Sequence, residues 1–210
     1  SLFLIGASIS VIYVFFMKQF KFELREESYP SIQTLKKVLD PLVYKTFDIA
    51  VFTAFLIFFV RFAIGKLGMA GSIVSLIVAF ESLVFGVSEI LIGRYAKIES
   101  KRMWIKWGAL IHITGIVFLV LSNNIALYFL ASGLIGLAGA FIDVWCYSFL
   151  CEVIEVSKRG TLFSTFSLSQ DLSTITGSSL PALASFLAIN PFASMMLFPA
   201  IILVYSIKRS

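Results

Sequence analysis

Histidine occurs once in this chain and cysteine twice, only 14% of the 210 residues are charged, and one stretch alone, residues 18–40, is long and polar. Each scarcity closes off a class of function. A single histidine leaves few ways to build a catalytic triad. His-Glu-x-x-His, Gly-x-Ser-x-Gly, phosphate-cradling glycine loops and paired-Asp metal motifs are also missing, so we expect no enzyme, no catalytic residues, no cofactor and no metal. Cys146 and Cys151 are five apart on one predicted helix, on different faces, and read as free thiols. The lack of charge, beside 59% hydrophobic residues and a mean hydropathy of +0.97, leaves too little polar surface to clothe a soluble core, so lipid is the solvent for most side chains.

What is present is apolar sequence in seven runs, near 2–17, 43–64, 70–92, 104–121, 125–150, 162–189 and 192–207. A helix rising about 1.5 Å per residue needs roughly 20 apolar residues to cross about 30 Å of hydrocarbon. The five inner runs meet that length and the two outer ones fall just short of it. The chain is therefore expected to be an all-α membrane protein of seven transmembrane helices.

Fifteen of the seventeen Lys and Arg residues flank alternate gaps: Lys18, Lys21, Arg25, Lys36, Lys37 and Lys45; Arg94, Lys97, Lys101, Arg102 and Lys106; Lys158 and Arg159; Lys208 and Arg209. Only Arg61 and Lys66 lie on the other side. The positive-inside bias makes the four basic regions cytoplasmic, with Ser122-Asn123-Asn124 and Asn190-Pro191 external, the amino end outside and the carboxyl end inside. The net charge of +5 is spread along membrane edges rather than packed on one face, so no nucleic-acid partner is expected. The expected setting is the cell membrane, crossed several times, with the lipid bilayer as the main partner.

Ser1 opens directly into an apolar run, without the basic lead and cleavage site of a signal peptide, and reads as a start in mid-protein. Residues 1–17 are then a single helix ending a preceding bundle, 18–40 a cytoplasmic connector in which Ser31 can cap a short surface helix, and 41–210 a six-helix bundle. An internal three-plus-three symmetry of that bundle is open.

Carboxylates within hydrocarbon cost several kcal/mol and are the best functional pointers in such a chain. Asp143 lies nine residues from Glu152, about 13 Å at helical rise and near the midplane. Asp171 and Glu81 reach similar depth, and Asp48 and Glu89 lie nearer the cytoplasmic edge. Ser164, Ser167, Asp171, Thr174 and Ser178 share one face of the sixth run, Gly136, Ala140, Asp143 and Tyr147 one face of the fifth, and Ser75, Ser82, Gly86 and Glu89 one face of the third. Glu81 falls outside that third-run stripe, beside Ile77, Val78 and Phe85. Neither Asp143 nor Asp171 has a basic partner at its depth on its own helix. His112, aligned with Gly108 and Gly115, reads as a packing or hydrogen-bonding residue. Pro181 and Pro199 fall inside runs and permit kinks.

The segment Gly93-Arg94-Tyr95-Ala96-Lys97-Ile98-Glu99-Ser100-Lys101-Arg102 resembles the loop motif Gly-x-Leu-Ala-Asp-Arg-x-Gly-Arg-Arg/Lys of the major facilitator superfamily. Gly93, Ala96 and Arg102 match and Lys101 is a basic substitute; Lys97 stands where the family has its latching acid. Gly133, Gly136 and Gly139, and the stretch from Lys158-Arg159-Gly160 to Gly177-Ser178-Ser179-Leu180-Pro181, are similar to that family too. The resemblance implies the last helix of an amino-terminal half plus the six-helix carboxyl-terminal bundle. It also implies gating residues at Gly93, Ala96, Lys101 and Arg102, and a cavity lined by the second, third, fifth and sixth helices.

Asp48, Glu81, Asp143 and Asp171 sit on those four helices and are the candidate substrate or proton-coupling residues. The implied function is part of a secondary transporter moving a small solute by alternating access, coupled to protons through buried carboxylates and completed by a missing amino-terminal half or by self-association. The alternative is a seven-helix receptor, although the last run has no lysine for a retinal Schiff base.

Overall fold

The computed structural model describes residues 32–65, 67–95, 101–154, 159–187 and 190–208; the first expected span and residues 18–31 of the connector lie outside them. Helix α1 (Ile32–Ala54) continues through a π-helical segment, Phe55–Phe59, into α2 (Val60–Gly65). Then come α3 (Gly71–Tyr95), α4 (Lys101–Leu121), α5 (Ile125–Val153) and α6 (Arg159–Phe186). The short α7 (Pro191–Met195) leads into α8 (Leu197–Lys208). Among the described residues there is no strand. Five helical stretches, Val38–Gly65, Gly71–Arg94, Met103–Leu121, Ile125–Glu152 and Pro191–Lys208, are long and apolar enough to cross a membrane. α6 is as long, at 28 residues, but its many serines and threonines keep it out of that set.

Helix ends follow local chemistry. Asn124 is extended, and its side chain accepts a hydrogen bond from the Leu127 N–H at 3.0 Å, satisfying one free donor of the first turn of α5. Asn190 accepts from the Phe192 N–H at 2.9 Å, with Pro191 in the first turn of α7 where no N–H is needed. Pro199 is the third residue of α8, again a position without a helical partner to lose, so the expected kink falls instead at the Met196 break. α1 begins at Ile32. The short helix expected after Ser31 and the first span of the bundle are thus one helix, with Pro41 inside it.

Four helices form a row in the order α6, α1, α5, α3, and α4 and α8 lie behind it. α3 packs on α5 and α6 on α1; α4 packs on α5 and α8 on α1; α1 meets α5, and α4 meets α8. Exchanging α1, α3 and α4 for α5, α6 and α8, in order, maps each of these pairings onto another in the set. The two outer contacts of the row are made alike. A Cβ on Gly136 of α5 would stand 2.3 Å from the Glu81 carbonyl oxygen on α3, and one on Gly177 of α6 would stand 2.5 Å from the Ala50 carbonyl oxygen on α1. Only glycine lets either backbone come so close, as at small-residue crossings in membranes.

The outer helices of the row also share a surface pattern. On α3 the exposed Leu76, Leu83, Val87 and Ile90 repeat at helical spacing, and on α6 so do Leu172, Ile175, Leu183 and Phe186. Such stripes suit lipid. One residue earlier, about 100° around each helix, run the polar positions Ser75, Ser82 and Glu89 on α3 and Asp171, Thr174 and Ser178 on α6. The Thr174 and Ser178 hydroxyls donate to the Gln170 and Thr174 carbonyls at 3.0 and 2.8 Å, so both are satisfied within their own helix.

Candidate functional site

Where α1, α3, α4 and α5 converge, five ionisable side chains are buried: Lys45, Asp48, Glu81, His112 and Asp143. Asp48, Glu81, His112 and Asp143 each lie nine or ten residues from an end of their apolar stretch, about 14–15 Å at helical rise, and so at the middle of a bilayer-sized helix. Lys45 is one turn from Asp48 on α1. Its ammonium donates a hydrogen bond to Asp143 Oδ1 on α5 and lies 3.6 Å from Asp48 Oδ2. His112 Nε2, on α4, is 3.8 Å from the other Asp48 oxygen, Oδ1. The Ser82 hydroxyl donates to Glu81 Oε2 at 3.1 Å.

This arrangement revises the reading of Lys45 and that of Asp48, expected nearer the cytoplasmic edge but ten residues inside the stretch that begins at Val38. Lys45 was counted among the basic residues at membrane edges, yet it is 5% exposed and seven residues inside the stretch that begins at Val38. Asp143, without a basic partner on its own helix, finds one on α1. His112, read as a packing or hydrogen-bonding residue, faces Asp48. The available signal was the spacing of Lys45 and Asp48, one turn apart on one face of an apolar run, the form in which a buried charge is compensated.

Glu81, outside the polar stripe of α3, is 3% exposed because the side it shares with Ile77 is the side that α3 turns to α5. Gly136 sets that approach, and Gly139, one turn on, leaves space for Phe85 and for Asp48 Oδ1, 3.6 Å from where its Cβ would be. Asp171 is not brought to the cluster. It stands exposed on α6, while its neighbour Gln170 reaches the site. Of the loop-motif residues, Gly93 lies in the last turn of α3, Lys101 and Arg102 open α4, and Ala96 is outside the described residues.

A cavity of about 290 Å³ sits against the cluster, lined by Lys45, Asp48, Ile49, Phe52, Glu81, Ser82, Phe85, His112, Ile135, Gly139 and Gln170. Ser82 and Gln170 are exposed, so the cavity opens on the side where α3 and α6 present polar residues. Its floor is charged and its walls are aromatic. His112 is 1% exposed and faces the Ile135 backbone as well as Asp48. Toward the Ile32 end of α1, the Tyr44 ring meets Trp145 and Tyr205 edge-on at 5.4 and 5.6 Å and closes the bundle beyond the Lys45–Asp143 pair.

No group of three or more His, Cys, Asp or Glu side chains among the described residues is arranged to hold a metal ion. The geometry suits binding of a polar or charged small molecule within the membrane, with carboxylates and a histidine at hand to exchange partners. Compared with models of protein families, with curated proteins and with solved structures, the chain matches none.

Proposed function

We propose that this chain is one six-helix half, with one further helix, of a secondary transporter resembling the major facilitator superfamily. In that reading it moves a small solute across the cell membrane by alternating access around the midplane cavity. The observation that carries this reading is the exchange symmetry of the helix pairings. In this reading α6 crosses as well, so each triplet makes three crossings and the second enters the membrane from the opposite side. Two triplets packed alike are then inverted repeats, the plan on which many transporters place a central binding site.

The buried cluster supports the reading from chemistry. Ionisable groups at mid-membrane depth are costly and mark solute or ion pathways. The polar face of the row supports it from surface properties, because a side of a membrane bundle that is neither apolar nor covered meets water or protein. The other cavity wall comes from a second six-helix unit, supplied by sequence upstream of this chain or by a second copy.

Accessibility measured from each side of the bilayer tests this. In the protein completed by its second six-helix unit, and with Cys151 replaced by serine, a cysteine at Ser82 or Gln170 is labelled by a membrane-impermeant maleimide from either side in vesicles, and solute shifts the ratio. Labelling from one side only, under every condition, rules out alternating access.

A further inference from the structure

The charges around the cavity do not balance. Asp48, Glu81 and Asp143 bring three buried carboxylates, and Lys45 is the one fixed cation among the cavity-lining side chains. Lys45 is already engaged by Asp143 and Asp48, so Glu81 keeps only the Ser82 hydroxyl as a hydrogen-bond partner among the described residues. Fully ionised, with His112 neutral, the cluster carries two negative charges in excess, which protons on the buried carboxyls or a bound cation can offset. One monovalent cation together with one retained proton balances that excess in the buried site.

The cavity describes that occupant further. Phe52 and Phe85 line it together with Glu81, so the apolar body of a soft cation has aromatic side chains to rest against.

We propose that the cavity binds a small monovalent organic cation, its ammonium held between Glu81 and Asp48 and its apolar body against Phe52 and Phe85. This deepens the transport reading and rests on it for the direction of movement, while the binding itself stands on the cavity.

The test uses the purified full chain in detergent and benzyltrimethylammonium as probe, titrated by calorimetry beside its neutral carbon isostere, neopentylbenzene, and the anion phenylacetate. The ammonium binds, the anion does not, and the neutral isostere binds about tenfold more weakly or worse. Glu81→Gln weakens ammonium binding by about tenfold, Phe85→Leu by roughly threefold to fivefold, and Asp171→Asn leaves it unchanged. Glu81→Asp keeps the charge and retains measurable binding, which separates loss of the site from loss of the fold.

Equal binding of neopentylbenzene and the ammonium, or unchanged affinity in a folded Glu81→Gln chain, overturns the proposal, as does absence of ammonium binding. The maleimide measurement in vesicles, made on the same variants, separates the two readings. Binding without two-sided labelling removes transport and leaves the cation site; two-sided labelling without binding removes the cation site alone.

Discussion

The Lys45 ammonium and the Asp143 carboxylate, ninety-eight positions apart in sequence, are hydrogen-bonded to each other across the contact of α1 with α5, the two central helices of the row. Each helix alone carries an expensive buried charge. Together they join the two triplets at the depth of the cavity.

Removing one member of that pair leaves the other uncompensated, at a cost of about 3–5 kcal/mol, whereas replacing both by apolar residues recovers most of the loss. Lys45→Met is expected to destabilise more than Asp143→Asn, because Lys45 also neutralises Asp48, 3.6 Å away. The double variant Lys45→Met/Asp143→Leu falls between Lys45→Met and the parent. Unfolding of the full chain in mixed micelles measures all four. A double variant less stable than Lys45→Met refutes the pairing.

The close crossings are equally exposed to test. Gly136→Val and Gly177→Val push a side chain into a facing backbone carbonyl and cost about 1–3 kcal/mol by overpacking. Gly93→Ala meets nothing within 4 Å and is neutral to within about 0.5 kcal/mol. Equal stability of the three variants contradicts the helix order in the row.

Thiol labelling reports the packing of α5 without any mutation. Cys151 is exposed and Cys146 is buried, with its thiol donating to the Pro41 carbonyl at 3.5 Å. A polar maleimide is expected to label one thiol per folded chain and two after denaturation in detergent. Two labels on the folded chain mean that α5 does not seat against α1 as described.

Orientation follows from the charge split. Tags at Glu99 and Ser210 are expected on the cytoplasmic side and a tag at Asn123, in the connection that caps α5, on the outside. Labelling of Asn123 from the cytoplasm alone reverses the topology.

Asp171 separates the two routes by which candidate residues were chosen. Depth and a polar stripe singled it out, but it stands exposed on α6, away from the cluster, so Asp171→Asn changes stability by less than about 0.5 kcal/mol. Asp143→Asn, which breaks a buried pair, is measurably destabilised. A loss for Asp171→Asn as large as that for Asp143→Asn shows that α6 turns its stripe into the protein.

Sequence by itself determined that the chain is helical with apolar runs of membrane length, that Ser122-Asn123-Asn124 and Asn190-Pro191 separate neighbouring runs, and that acids lie within the runs. These properties are local, set by transfer of side chains to lipid and by the free donors of a helix end, and they need no knowledge of neighbours. Tertiary structure alone decided partnership. A polar stripe shows which face of a helix avoids lipid, but not which helix covers it or how closely. Lys45 thus left the membrane edge for Asp143 because α1 extends back to Ile32 and packs on α5. Glu81 joined the cavity from outside its stripe because Gly136 draws α3 inward on that side. Asp171, equal to Asp143 by every measure of sequence, stayed outside because α6 contacts α1 through Gly177 and turns its carboxylate away from the cluster.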